Sequence, residues 1–173
     1  MKTRNAWLSL WLALAIALGL CACSGKGDEG SGGGDGEGPS SAIAIGGTSL
    51  QLGGEFTEEI KAALGEPASV EQAPSCHYDG TDNIYTYADF SVYTYMQGDK
   101  SVMYSIEVRS DAYPTPEGAK VGMTLDEVKA ACGEGAEGLD AGNGVYYSLG
   151  GGMQLKFFLT DDNRVQRIEY YVE

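Results

Sequence analysis

The chain has 173 residues, with 11 Lys and Arg against 25 Asp and Glu, and a formal net charge of −14 at neutral pH. That balance argues against nucleic acid as a partner, because phosphate binding needs cationic side chains, and against adhesion to anionic lipid headgroups. The length suits one folded domain rather than several.

Met1-Lys2-Thr3-Arg4 is a short positive start, and an apolar run follows from Ala6 to about Leu20. These are the n- and h-regions of a secretory signal. The run is shorter than the roughly 20 apolar residues of a stable span and leads directly into polar sequence, so a permanent transmembrane helix is the less suitable reading. Leu20-Cys21-Ala22-Cys23-Ser24 resembles the lipobox of bacterial lipoproteins, with an aliphatic residue at −3 and a small one at −1 of Cys23. Cys21 fits worse, since bulky Leu20 would occupy its −1 position. The resemblance implies a signal peptide over residues 1–22 and a lipid on Cys23. The protein would then be held on the extracytoplasmic face of a membrane, and more than one acyl chain makes such anchoring stable.

Residues 23–41 follow as a tether, with eight glycines between Ser24 and Ser41 and no apolar side chain among them. Nothing there can offset the entropy of ordering, and the flexible reach is roughly 25 Å. The folded part is expected over residues 42–173, where the acidity keeps the domain soluble or steers a basic partner.

Within it, Glu59-Ile60-Lys61-Ala62-Ala63-Leu64-Gly65-Glu66 matches Glu127-Val128-Lys129-Ala130-Ala131-Cys132-Gly133-Glu134 at six of eight positions. This points to two repeats, 48–110 and 118–173. In the first, Phe56, Ile60, Ala63 and Leu64 form one helical face, ended by Gly65 and Pro67. Strands are expected at Ile84–Tyr87, Phe90–Met96 and Val102–Val108, with a hairpin turn at Gly98-Asp99. Asp111–Glu117 joins the copies. In the second, Thr124 and Glu127 make a capping box, Leu125, Val128 and Cys132 share a face, and Gly133 stops the helix. Strands follow at Val145–Leu149, Met153–Leu159 and Val165–Val172, with a turn at Asp161-Asp162-Asn163. The expected fold is therefore α+β, two tandem αβββ repeats with the helices packed on one face of an antiparallel sheet.

The Gly-Met-Thr-x-Asp-Glu-Val run at Gly122–Val128, with Gly133 closing the helix, resembles the small outer-membrane-assembly lipoprotein domain (SmpA/OmlA, or BamE-like). Two helix-plus-sheet copies are similar to the β-lactamase-inhibitor-protein fold, which by analogy suggests inhibition of an enzyme. The first copy departs from the motif, with Gly54-Glu55-Phe56-Thr57 where Met-Thr would stand.

No catalytic constellation is legible. His77, the single histidine, is adjacent to Cys76, and neighbours on an extended segment point to opposite faces, so a thiolate–imidazole pair is not expected. Cys76 and Cys132 are read as unpaired small hydrophobes, with a bridge as the alternative an exported location permits. Gly150-Gly151-Gly152 leads into a strand, whereas a phosphate cradle wants a helix. The clusters Asp79-Gly80-Thr81-Asp82-Asn83 and Asp161-Asp162-Asn163 lack calcium-loop spacing and suit turns. No metal or cofactor is expected.

Tyrosine is the candidate recognition residue. All eleven follow the tether, and Tyr85, Tyr87, Tyr93 and Tyr95 recur at period two. Tyrosine supplies rigid contact area with a polar tip, although it also suits cross-strand pairing. The function expected is a non-enzymatic protein-binding module of the cell envelope. Inhibition of a secreted enzyme is the alternative, and hydrolysis of wall material ranks below both.

Overall fold

The computed structural model describes residues 39–75, 78, 80–139 and 142–173. The expected signal peptide, Cys23 and the tether up to residue 38 lie outside them, as do Cys76, His77 and Asp79. No helix among the described residues is long and apolar enough to cross a membrane.

The chain enters through a hairpin, β1 (Ala42–Ile45) and β2 (Thr48–Gln51). Its turn is Gly46-Gly47, with φ of +57° and +85°, a conformation that side chains resist. Alternation in Ala42-Ile43-Ala44-Ile45 buries Ile43 and Ile45, and Leu50 is buried across from Ile43. Helix α1 (Glu58–Leu64) follows, then β3 (Ser69–Pro74), β4 (Thr81–Thr86), β5 (Phe90–Gln97) and β6 (Lys100–Val108). Helix α2 (Leu125–Cys132) opens the second half, before β7 (Ala136–Leu139), β8 (Gly142–Gly150), β9 (Met153–Leu159) and β10 (Val165–Val172). Strands β3 to β10 form one eight-stranded antiparallel sheet in the order β3-β4-β5-β6-β10-β9-β8-β7. Each half is a meander, and the halves join where β6 pairs with β10, Val108 opposite Ile168.

The eight-residue sequence match falls on the two helices, whose ends are alike. Thr57 and Thr124 cap them, and Gly65 and Gly133 close them at φ/ψ of 81°/−169° and 82°/−172°. Just before each helix a short stretch pairs beside the start of a long strand. Gly53 donates to Met103 and Phe56 to Ser101 (2.8 and 2.7 Å), while Gly122 and Val165 are joined at 2.8 Å.

The expected αβββ repeats are overturned. Four strands, not three, follow each helix, the β1–β2 hairpin stands before the first, and the protein is mainly β. The helices do not cover the sheet as expected: α1 buries no residue fully and α2 only Val128. Ala63, assigned to the buried face of α1, is exposed. With so little helix, the resemblance to the SmpA/OmlA (BamE-like) and β-lactamase-inhibitor-protein folds is not upheld. The physical reason is length. Two-turn helices cannot bury a stripe, whereas eight alternating strands bury a whole face.

That face carries Val92, Ile106, Val108, Leu155, Phe157, Ile168 and Tyr170, all fully buried. The hairpin, Phe56 and the inner sides of the helices complete the core cluster over it.

Candidate functional site

Register identifies what lies on the opposite face. Ser91, Tyr93 and Tyr95 of β5 stand across from Glu107, Ser105 and Val102 of β6. Glu169 of β10 stands across from Glu107 on one side and Lys156 of β9 on the other, while Arg167 lies opposite Phe158. Neither helix nor the β1–β2 hairpin packs on this side among the described residues.

At its centre Glu107, 12% exposed, accepts from both Arg109 and Arg167 at 2.7 Å. Arg109 also donates to Ser91 Oγ and to the Tyr87 carbonyl (3.1 and 3.2 Å). Arg167 lies over the Phe158 ring, 3.7 Å from its centroid, and Lys156 over Tyr171 at 4.0 Å. Such contacts hold a cation's stem flat while leaving its charge at the surface.

Beside this ionic centre is a tyrosine group. Tyr78 stacks on Tyr95 with centroids 3.7 Å apart, and Tyr104 lies 5.8 to 6.3 Å from Tyr78, Tyr93 and Tyr95. A bulge between Tyr93 and Thr94 in the β5–β6 pairing gives β6 the extra residue, Tyr104, that completes the group. Tyr104 donates to Asp82 Oδ2 (3.2 Å), while Asp82 Oδ1 is buried without a hydrogen-bond partner. Burial and then Asp82 raise the Tyr104 phenol, and burial followed by Glu107 and Glu169 raises that of Tyr93. Both therefore stay protonated donors at neutral pH. A depression of about 410 Å³ continues the face toward β7, lined by Tyr146, Gln154, Lys156, Phe158, Arg167 and Glu169 among others.

The four candidate tyrosines separate. Tyr93 and Tyr95 are half-buried on this open face. Tyr87 is 6% exposed, stacks on Phe90 at 4.4 Å and belongs to the core. Tyr85 packs edge-on against Phe56 at 4.9 Å, with Lys61 over it at 5.2 Å. Neither Tyr85 nor Tyr87 contributes to the same surface as Tyr93 and Tyr95, because Tyr85 packs on Phe56 and Tyr87 on Phe90, both of the core. Sequence reading did not single out Tyr78, Tyr104 or Tyr171, nor the ion triad. Only the alternation around Glu107 and Glu169, adjacent to Arg109 and Arg167, hinted at the triad.

The remaining motifs are structural. Gly150, Gly151 and Gly152 form the β8–β9 turn, all at positive φ, and Asn163 at +56° completes the β9–β10 turn. No group of metal-ligating side chains occurs among the described residues. Cys132 is a half-buried free thiol.

No family model and no curated protein matches the chain. Among solved structures it is similar to an extracellular protein containing a SCP domain from Bacillus anthracis strain Ames, at 13% identity and a TM-score of 0.43. The match covers 70% of this chain and 44% of that protein, so the chain spans less than half its length. A likeness of this size assigns neither fold nor function.

Proposed function

We propose that this is a membrane-anchored extracytoplasmic lipoprotein, lipidated at Cys23, whose domain acts as a non-enzymatic protein-binding module of the cell envelope. The observation that carries the reading is the open sheet face, where Tyr78, Tyr93, Tyr95 and Tyr104 group beside a Glu107–arginine triad. Rigid aromatics and arginines around a desolvated centre are the composition of binding hot spots. The triad's charges are engaged with one another, which suits positioning rather than proton transfer. The lipobox supports the address.

The test is capture from the membranes of the expressing cells. Tyr93→Ala with Tyr95→Ala should weaken capture by about 30-fold, the scale of a lost hot spot. Ile168→Ala, on the covered face, should leave capture intact below its melting temperature. Unchanged capture by the tyrosine variant would sink the reading. Cys23→Ala should abolish fatty-acid labelling; if labelling moves only with Cys21→Ala, the anchor lies at Cys21.

A further inference from the structure

The sheet ends differently on its two sides. At one edge β7 has four residues and a bulge between Glu137 and Leu139, a common way of blunting an edge. At the other, β3 pairs with β4 over six residues with no irregularity. All six are exposed, and Val70, at 51%, is the most exposed large apolar side chain among the described residues. Ser75 donates its N–H to Gly80 across the β3–β4 pair (3.0 Å). By antiparallel alternation the backbone groups of Val70 and Gln72 therefore point outward, away from β4. Pro74, which has no N–H, shares that outward parity.

Beside this edge lies a depression of about 710 Å³ between α1, β4 and the β5–β6 turn. Gln72, Asn83, Tyr85 and Phe56 are among the residues that line it. Gln72 and Val70 stand directly across from Asn83 and Tyr85, so their side chains share the side on which the depression opens. Four carboxylates line it: Glu55, Glu58, Glu59 and Asp99. Lys61 pairs with Glu58 at 2.8 Å and Lys100 with Glu55 at 3.1 Å. Glu59 and Asp99 are left without a cation at ion-pair distance among the described residues.

We propose that β3 is a strand-addition site for an extended, basic segment of a partner protein. The added strand would hydrogen-bond to Val70 and Gln72 and place alternate Lys or Arg side chains in the acidic depression. A new strand would lie about 4.8 Å beyond β3, next to Gln72, which lines the depression. Main-chain bonding would supply affinity and the depression selectivity, the division found in strand-adding domains. An acidic segment, including a second copy of this acidic chain, meets repulsion there. The site is separate from the tyrosine face and does not depend on it.

The probe is a capped heptapeptide of alternating Lys and Val, titrated into the full chain in non-ionic detergent and read by fluorescence anisotropy. Its controls are the Glu–Val counterpart and a copy N-methylated at alternate residues. The Lys–Val peptide should bind and both controls should not. Val70→Pro, which removes one outward donor, should abolish binding. Glu59→Gln with Asp99→Asn should weaken it about five-fold, the scale of two exposed charge contacts. In the unaltered protein, bound peptide should slow amide exchange at residues 69–74, a readout that holds even if Val70→Pro fails to fold. Absence of binding, equal binding of the Glu–Val peptide, or binding without protection of β3 would overturn the proposal.

Discussion

Cys132 illustrates how a residue's chemistry depends on what surrounds it. Burial, followed by the neighbouring Glu117, pushes its thiol up to about 11, from an ordinary value of 9.0. Burial likewise pushes the Tyr147 phenol up to about 12, with Cys132 and Glu134 contributing. A raised folded value means the fold favours the neutral form. Its stabilising effect is complete below about pH 9 and is lost as pH rises through 11. Discounted for half-exposure, the loss at Cys132 should be roughly 1 kcal/mol. Urea unfolding at pH 8 and pH 11 should show that difference in the wild type and a smaller one in Cys132→Ala. An equal decline in both would assign the pH dependence to tyrosines alone. Alkylation of Cys132 at pH 8 should be slow, since the thiolate is the nucleophile.

At the scale of elements, the helices rely on their ends. Helix α2 has a complete capping box, with Glu127 N–H donating to Thr124 Oγ1 (3.3 Å) and Thr124 N–H to Glu127 Oε2 (2.8 Å). Helix α1 has the Thr57 cap, which accepts from Ile60 N–H at 3.3 Å. Thr124→Ala should cost about 1 kcal/mol and speed amide exchange in residues 125–132 before the sheet responds. Gly133 sits in a backbone region open essentially to glycine, so Gly133→Ala should cost roughly 1–3 kcal/mol in urea unfolding. A negligible cost would mean that the helix end relaxes freely. The strands are set by alternation, and β3 and β7, two of the four that escaped sequence reading, show its limit. β3 is exposed throughout and contains Pro74, while β7 is short and interrupted by Gly138. Neither buries a face, so neither carries a period-two signal.

For the whole molecule, the pairing of β6 with β10 makes two meanders into one sheet. Ile168, fully buried, stands at that seam opposite Val108. Ile168→Ala should cost about 3 kcal/mol, and its effect should not stay in the second half. Hydrogen exchange in β4–β5 and in β8–β9 should lose equal protection if the sheet opens as one unit. Loss confined to β8–β9 would show that the halves unfold separately.

By itself the sequence determined the start of α2, the stops of both helices and six of the strands, whereas Phe56, expected on the α1 face, precedes its Thr57 cap. Each depends on local chemistry: a capping threonine, a glycine at positive φ, or alternation along a few residues. The β1–β2 hairpin was not read from the sequence, and the expected repeat boundary at residue 48 falls between its two strands. What only the tertiary structure decided was the assignment of surfaces. Tyr87 and Tyr93 look alike in sequence. One is core and the other lies on the open face because strand register, not residue type, sets which side is covered. The Glu107–Arg167 pair and the Val108–Ile168 seam likewise arise from contacts between strands about 60 residues apart in the chain. No local pattern encodes them, because each depends on which strand becomes the neighbour of which.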